Sequence, residues 1–246
     1  MIYVTGDTHI PVDIHKLKAE LFPEQKNLKK SDYVIICGDF GGVWSGSAED
    51  QYWLKWLDKK NFTTLFVDGN HENHRMLNEN YEVVPFCGGK AHRIMDSVYH
   101  LMRGQVFTID GLKFFAMGGA ASHDRQCRRE GVSWWPEELP SDSEYEEAIA
   151  NLERHGCEVD YIITHCAPDS IQRQISDYYK SDRLTGFLEE VKNQVSYKHW
   201  YFGHYHILVM NEDIDGKHTC LFDKIVKVKT YATYEEAQRY IETRFQ

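Results

Sequence analysis

The sequence has no apolar stretch long enough to cross a bilayer, because its longest apolar runs, at residues 34–37 and 65–67, are no longer than a strand. The first residues carry neither the basic segment nor the apolar core of a signal peptide, so we expect no leader and a cytoplasmic location. Repeats and low-complexity tracts are also absent. These absences are typical of an ordinary globular protein, and we expect a single domain over residues 1–246.

Cysteine is sparse and follows no spacing pattern. The chain has 6 cysteines, no two of them form a C-x-x-C pair, and several lie within apolar runs. This distribution favours reduced, mostly buried thiols over a disulfide framework or a structural zinc site made of thiolates.

Positive charge is in deficit. The 28 lysine and arginine residues face 38 aspartate and glutamate residues, which gives a formal net charge of −10. Affinity for nucleic acid comes mainly from cations that neutralise phosphates, so this charge disfavours nucleic acid as a partner but leaves a local basic patch open. Histidine, by contrast, is abundant at 13 residues, which is a first and weak sign of metal chemistry.

Short apolar runs predict buried strands that alternate with amphipathic helices. Ser47 predicts the start of one helix, and a capping box of Ser143 and Glu146 predicts a second helix that ends at Gly156. Thr233 predicts the start of a last helix. The predicted strands are residues 2–4, 34–37, 65–67, 161–164 and 200–202.

Two Asp-Gly pairs predict β-hairpins. They are Asp110-Gly111, between residues 106–109 and 112–117, and Asp215-Gly216, between residues 207–210 and 218–222. Hairpins together with helix-linked strands indicate a mixed sheet or two packed sheets with helices outside. Residues 118–140 show no clear periodicity and predict a long ordered loop, a feature that is often functional.

Each of the five predicted strands ends in a polar group. Taken singly, such an ending has an ordinary interpretation, as a turn, a helix cap or a hydrogen-bonded core histidine. Loops beyond the carboxyl ends of parallel strands share one edge of a sheet, so five such endings in one chain indicate groups that converge. The endings read Asp7-Thr8-His9, Gly38-Asp39, Asn70-His71, His165 and His204-Tyr205-His206.

The combined oxygen and nitrogen ligands suit two hard-to-borderline divalent ions. Two ions with four protein ligands each need eight ligands, and only seven residues are present. One carboxylate must therefore bind both ions. Two such ions, about 3.5–4 Å apart, can clamp the attacking and leaving oxygens of an in-line displacement and provide a hydroxide near neutral pH. The seven are Asp7, His9, Asp39, Asn70, His165, His204 and His206.

As an ordered set, these blocks resemble the signature of the calcineurin-like metallophosphoesterase superfamily: DxH, GD, GNH followed by D or E, a lone His, and GHxH. The resemblance spans residues 5–206. It implies an α/β fold, namely a four-layer αββα sandwich of two mixed β-sheets flanked by helices, with a binuclear metal centre at the sheet edge. Mn²⁺ is the expected metal, with Fe, Zn, Ni and Mg as alternatives.

The resemblance also implies a role for each residue. Asp7, His9 and His206 would bind the first metal. Asn70, His165 and His204 would bind the second, and Asp39 would bridge the two. His71 would not be a ligand, but would act as general acid to the leaving oxygen or as a donor that stabilises the transition state.

The sequence departs from the family pattern after Asp39. Many members extend this block to GDxxD, and protein phosphatases add an Arg, whereas Gly42 and Val43 stand here. This difference argues against a protein phosphatase. It also leaves open how His71 is oriented and which groups hold the phosphate oxygens.

The 118–140 loop offers substitutes for those groups. Its arginines can hold phosphate and His123 can face the site, or the loop is simply a solvated basic segment. Trp134 and Trp135 either stack on a flat group or pack in the interior. The candidate substrate-binding residues are Asn70, His123, Arg125, Arg128 and Arg129.

The expected function is hydrolysis of a small phosphate monoester or diester by a hydroxide that bridges two divalent metals. The alternatives are a metal-dependent nuclease and a non-catalytic metal-binding scaffold on the same fold. We expect no membrane partner, and the sequence is compatible with either a monomer or a homodimer.

Overall fold

The structure is a computed structural model that describes residues 1–206 and 213–228. The strands of this part of the chain fall into two sheets. In chain order they are β1 (Ile2–Thr5), β2 (Tyr33–Cys37), β3 (Thr63–Val67), β4 (Glu82–Phe86), β5 (Gly89–Met95), β6 (Val98–Leu101), β7 (Gln105–Ile109), β8 (Leu112–Met117), β9 (Tyr161–Thr164), β10 (His199–Phe202), β11 (His218–Cys220) and β12 (Ile225–Lys227).

Both sheets are mixed. The seven-stranded sheet has the order β12-β1-β2-β3-β6-β5-β4, and the five-stranded sheet has the order β11-β10-β9-β8-β7. Neighbours are parallel from β1 through β2 and β3 to β6, and again from β8 through β9 and β10 to β11. The remaining pairs are antiparallel.

Five α-helices lie between the strands in the described residues. They are α1 (Ala48–Asp58), α2 (His74–Glu79), α3 (Asp142–Arg154), α4 (Asp169–Ile175) and α5 (Arg183–Gln194). Single 3₁₀ turns occupy Ile14–Leu17, Pro23–Asn27, Arg125–Cys127 and Pro136–Glu138. None of the helices described has the length and apolar composition that a bilayer crossing requires.

Three buried clusters separate the layers, because successive side chains of a strand point to opposite faces. In β2, Ile35 packs between the two sheets against Phe114 and Tyr161, whereas Val34 packs outward against Leu57 of α1. On the outer face of the second sheet, residues of α3 and α5 cover β8, β9 and β10. The order is therefore helix, sheet, sheet, helix, and the predicted αββα sandwich is confirmed.

The five predicted strands are confirmed to within two residues at each end. The first predicted hairpin is also confirmed, since Ile109 pairs with Leu112 across the Asp110-Gly111 turn. For the second hairpin, residues 218–220 form β11, but residues 207–210 lie outside the described residues. The helix predicted from Thr233 lies outside them as well.

The two predicted helix starts had different outcomes. Ser47 caps α1, and its hydroxyl accepts a hydrogen bond from the Asp50 amide. The capping box predicted at Ser143 and Glu146 is wrong by two residues, because Ser141 and Glu144 form the capping box of α3. The Ser141 hydroxyl accepts from the Glu144 amide, while the Glu144 carboxylate accepts from the Ser141 amide at 2.7 Å. The overlapping Ser-x-x-Glu at Ser143 already lies inside the first helical turn.

Candidate metal centre

The predicted ligands meet at one edge of the sandwich, where parallel strands of both sheets end. β1, β2 and β3 lead into Asp7, Asp39 and Asn70, and β9 and β10 lead into the lone histidine and the GHxH block. Backbone hydrogen bonds lock these loops together: the Thr8 amide donates to Asp39 O at 3.0 Å, and the Gly203 amide donates to His165 O at 3.0 Å. His165 Nδ1 donates across the two sheets to Cys37 O at 2.8 Å.

Asp39 is the centre of the arrangement and is 1% exposed. Its Oδ2 lies 3.0 Å from His9 Nε2, and its Oδ1 lies 3.2 Å from His165 Nε2. This carboxylate belongs to two groups of possible metal ligands, and the ligand atoms inside each group lie within 4.8 Å of one another. One group is His9, Asp39 and His206, and the other is Asp7, Asp39 and His165.

Asp7 belongs to the second group and also approaches a histidine of the first. Its Oδ1 is 3.4 Å from His165 Nδ1, and its Oδ2 is 3.7 Å from His206 Nε2. The His204 amide donates to both oxygens of Asp7. The family resemblance assigns Asp7 to the metal of His9 and His206, whereas the geometric grouping places it with Asp39 and His165, so the division of ligands between two ions stays a prediction.

The two remaining predicted ligands, Asn70 and His204, border these groups. Asn70 Oδ1 lies 3.3 Å from His165 Nε2, and the His204 ring packs edge-on to the His165 ring at 4.9 Å. The His206 ring packs against the His9 ring at 4.9 Å and stacks on Phe222 at 4.6 Å. All seven predicted ligands are therefore brought together.

Backbone strain is concentrated among these residues. His9, Asp39, His204 and His206 have φ values of 33°, 46°, 69° and 46°. Non-glycine residues rarely adopt positive φ, and each such residue stores on the order of 1–3 kcal/mol. The surrounding hydrogen bonds must hold the strained turns, and these turns aim the side chains into one space.

Glycine permits the close approach of the two sheets. A Cβ on Gly38, whose φ is 87°, would collide with the His165 ring, and a Cβ on Gly69 would collide with Asp39 Oδ1. These two motif glycines are required by space as much as by backbone conformation.

The electrostatics favour cations. Asp7 and Asp39 are buried, and in the described ranges neither forms an ion pair with a lysine or arginine. Burial raises the pKa of Asp7. Burial alone would also raise the pKa of Asp39, but the charge and hydrogen bond of His165 outweigh it and hold that pKa well below its usual range.

The histidines complement these carboxylates. Burial lowers the pKa of His165, but Asp39 and Asp7 outweigh it and raise that pKa to about 9. Burial lowers the pKa of His204 strongly and that of His206 to about 4, which keeps both rings neutral with a free lone pair. Buried carboxylates and imidazoles are ligand types that divalent ions of the Mn²⁺ to Zn²⁺ series take, and a cation bound here would replace the proton that Asp39 and Asp7 hold on His165, so the residues fit the predicted metal pair.

A sequence model of the calcineurin-like phosphoesterase family matches residues 1–208. The chain belongs to that family. Its members are metal-dependent hydrolases of phosphate esters, which agrees with the ligand types found here. No curated protein matches the chain closely enough to count as a relative.

Among the described residues, the groups of possible metal ligands contain no thiol. Cys37 and Cys166 are buried, and burial raises the pKa of both thiols well above the usual value. A thiol that stays protonated is a poor nucleophile and a poor ligand. The interpretation of Cys166 as a packing residue is consistent with this environment.

His71 lies beside the centre, and its surroundings answer how it is held without a GDxxD carboxylate. Its amide donates to Asp39 Oδ1 at 2.8 Å, and its ring Nε2 accepts from Arg128 Nη2 at 3.0 Å. Burial lowers the pKa of His71, and the positive charge of Arg128 lowers it further. The adjacent Glu72 is buried and accepts from the Phe40 and Gly41 amides, so it ties the loop after β2 to the loop after β3.

Two of the candidate residues in the 118–140 loop lie near the predicted site, and two do not. Arg128 reaches His71, and the His123 ring lies 5.6 Å from the His204 ring. The Arg125 guanidinium instead lies over the Trp134 ring at 3.9 Å, and Arg129 is exposed.

The tryptophans of this loop pack rather than present a surface. Trp134 and Trp135 are only 6% and 2% exposed. The Trp135 ring packs edge-on to Trp44 at 5.2 Å. The packing alternative of the sequence analysis is the one found.

Two residues that sequence reasoning missed support the ligands from behind. Asp13 Oδ2 accepts from His9 Nδ1 at 2.8 Å, which turns His9 Nε2 towards the centre. Lys16 Nζ donates to the backbone oxygen of Asp7 at 2.7 Å and to that of Phe222. The i,i+4 spacing of His9 and Asp13 was a usable signal, whereas no local pattern marks Lys16.

Proposed function

We propose that this protein hydrolyses a small phosphate monoester or diester with two divalent cations held by the seven-residue centre. The observation that carries the proposal is the Asp39 carboxylate, which belongs to two groups of possible ligands, with the ligand atoms inside each group within 4.8 Å of one another. A bridging carboxylate of this kind is what two neighbouring ions require. Mn²⁺ is the cation we expect.

Bound divalent ions would supply Lewis acidity toward the phosphoryl oxygens and would lower the pKa of an attacking water. The protein would contribute the fixed geometry. Asp39 spans the two groups, Asp13 orients His9, and the strained turns leave the ligands little freedom to rearrange.

His71 is the proposed donor to the leaving oxygen. Its backbone is tied to Asp39, and its ring is placed at the centre's edge by Arg128. Because the pKa of His71 is lowered, its ring is mostly neutral at pH 7, and its second role, as a hydrogen-bond donor to the transition state, suits that form.

Arg128 is the proposed holder of the non-reacting phosphate oxygens. Its side chain is largely buried, and its Nε donates to Asp124 Oδ1 at 2.6 Å, which leaves the fork beside His71 pre-oriented. A guanidinium fork matches two phosphate oxygens at once. Asn70, beside His165, and His123, whose ring lies 5.6 Å from the His204 ring, are the further proposed substrate contacts.

The first test is hydrolysis of nitrophenyl phosphate and bis-nitrophenyl phosphate with Mn²⁺ and with chelator. In His71→Ala we expect a loss of about 10²–10⁴-fold in kcat with metal content unchanged, because a positioned proton donor contributes about that much. The exposed His15→Ala is the matched control. Activity that survives chelation, or a fully active His71→Ala, contradicts the mechanism.

Arg128→Ala separates monoester from diester. A phosphate monoester has three non-bridging oxygens and a diester only two, so an arginine that holds the oxygens not bound by metal contributes more to monoester hydrolysis, and a loss confined to the monoester would favour a phosphatase. Arg154→Ala, on the exposed end of α3, is the control.

The same assay covers the two alternatives. Salt-sensitive cleavage of DNA in preference to both small esters would replace this proposal with the nuclease. Protein that binds two Mn²⁺ but hydrolyses none of these compounds would favour the scaffold.

A further inference from the structure

Asn70 poses an orientation problem for the candidate centre. A side-chain amide has an oxygen that accepts and a nitrogen that donates, and only the oxygen can bind a cation. In the structure Asn70 Oδ1 faces His165 Nε2 at 3.3 Å, and Nδ2 faces Ser122 Oγ at 3.3 Å. If Ser122 Oγ accepts a hydrogen bond from Asn70, the amide nitrogen points to Ser122 and the amide oxygen faces the ligands. If Ser122 Oγ donates, the amide is turned around.

Glu138 settles what Ser122 does. The Ser122 hydroxyl donates to Glu138 Oε2 at 2.6 Å, and the Ser122 amide donates to Glu138 Oε1 at 3.0 Å. An ionised carboxylate accepts hydrogen bonds and donates none. The one hydroxyl proton of Ser122 is thus used on Glu138, so Ser122 Oγ can only accept from Asn70, and the amide nitrogen must point at it.

Glu138 itself is fixed to the strand end that carries Asn70. It is 4% exposed, and Arg103 Nη2 donates to its backbone oxygen at 3.3 Å and to that of Glu137 at 2.8 Å. The Nε of the same arginine donates to Asp68 Oδ2 at 2.9 Å. Asp68 lies two residues before Asn70, so the contacts close a ring from β3 through the 118–140 loop and back.

We propose that Glu138 and Ser122 are positioning residues that hold the Asn70 amide with its oxygen toward the bound cation. The inference rests on the proposed function only in requiring a cation at Asn70. Without the two residues, both amide orientations become available, and the flipped one turns an NH₂ group toward a positive ion.

The decisive variant is Glu138→Gln, which keeps the shape and removes the constraint. A glutamine can donate to Ser122 Oγ, which frees the hydroxyl proton to bond Asn70 Oδ1 and turns the amide around. Groups that orient a metal ligand typically change metal affinity by about 10–100-fold. We expect a loss of that size for one of two Mn²⁺ ions, measured by calorimetric titration of the folded protein.

The chain offers matched controls for this titration. Glu137→Gln changes the neighbouring carboxylate, which pairs with Arg75 at the surface, and should leave both affinities unchanged. Ser122→Ala should weaken the same ion as Glu138→Gln, whereas Ser133→Ala, in the same loop, should not. Thermal unfolding with excess chelator should show little difference between Glu138→Gln and the parent protein.

Repeating the Glu138→Gln titration in an Asn70→Asp protein distinguishes an effect on the amide orientation from an effect on packing. Asn70→Asp places two equivalent oxygens where the amide was, so no flip can occur and Glu138→Gln should lose its effect on Mn²⁺ affinity. An unchanged effect in that background would overturn the inference, as would equal weakening of both ions. A parent protein that fails to bind two Mn²⁺ would instead overturn the proposed function.

Discussion

Two buried clusters of aspartate and histidine lie on either side of the loop that follows β3, and only one resembles a metal centre. The second, the Asp68 cluster, consists of Asp68, His74, His92, His100 and Arg103. Asp68 accepts from Arg103 at Oδ2 and from His100 Nε2 at 3.1 Å, and His92 Nδ1 lies 2.9 Å from His100 Nδ1. By residue types alone, apart from the arginine, the clusters are alike.

The difference is the countercharge. In the Asp68 cluster a guanidinium supplies a permanent positive charge, and with His100 it holds the pKa of Asp68 well below its usual range despite burial, which alone would raise that pKa. In the candidate centre the ion pairs of the two buried carboxylates among the described residues are with histidines, and the Lys16 ammonium bonds the backbone oxygen of Asp7 rather than its carboxylate. Buried carboxylates that have no ion pair with arginine or lysine favour the binding of a metal cation. A buried carboxylate that is already paired with arginine instead has a structural role.

The largest effect should come from Asp39→Asn. Loss of the shared carboxylate should lower activity by on the order of 10³-fold or more, since metal ions contribute several kcal/mol to such reactions. Metal analysis should find fewer than two ions per chain. Asp110→Asn, an exposed carboxylate, is the control. An Asp39→Asn protein with full metal content and full activity would remove the distinction between the clusters.

The corresponding change in the other cluster is Arg103→Met. It should lower the free energy of unfolding by about 3–5 kcal/mol, because it leaves the buried Asp68 charge uncompensated. Urea unfolding with chelator present measures this loss without any contribution from metal. Arg93→Met breaks the exposed pair with Glu82 and should cost about 1 kcal/mol or less. Equal losses in the two variants would show that Asp68 does not depend on its arginine.

A smaller effect should distinguish the clusters by pH. His74 is 2% exposed, its Nε2 has no hydrogen-bond partner, and it borders a cavity of about 20 Å³, enough for one water. Burial lowers the pKa of His74 to about 3. His74 therefore takes up a proton near pH 6.5 in the unfolded chain but only near pH 3 in the folded protein. Its contribution to the free energy of unfolding is fully present above pH 6.5 and is lost as the pH falls toward 3.

Between pH 7.5 and 5.5 this histidine should remove about 1.4 kcal/mol of stability. His74→Gln should therefore lose that much less than the parent protein over the same interval, measured by urea unfolding at both pH values. His15→Gln is the control for removing one exposed histidine. The same pH dependence in parent and His74→Gln would mean that His74 binds a proton as readily in the folded protein as in the unfolded chain.

The fold and the ligand set were both accessible from sequence, for different reasons. Buried parallel strands appear as short apolar runs, and the three central ones were predicted within two residues. Metal ligands come from a few residue types, and such residues stand directly after those strands, so the blocks from Asp7 to His206 predicted a metal site whose seven residues the structure brings together. Helix starts were less certain, because Ser141 and Ser143 offer overlapping capping signals.

Asp68 and Asn70 show where sequence reasoning stopped. They lie two residues apart in one polar block, and nothing local says that they serve different clusters. Asp68 faces Arg103, whereas Asn70 faces His165 and Ser122. Each choice depends on side chains that arrive from other parts of the chain.

The amino-acid sequence by itself determined the layered fold, the order of the strand-end motifs and the ligand chemistry, because apolar periodicity and short ligand spacings are local. The tertiary structure decided which distant side chains contact the residues of those motifs. Arg128 meets His71 across 57 residues, Ser122 meets Asn70 across 52, and Arg103 meets Asp68 across 35. The 118–140 loop that supplies the first two has no periodicity, so only its packing against the strand ends brings them to the site.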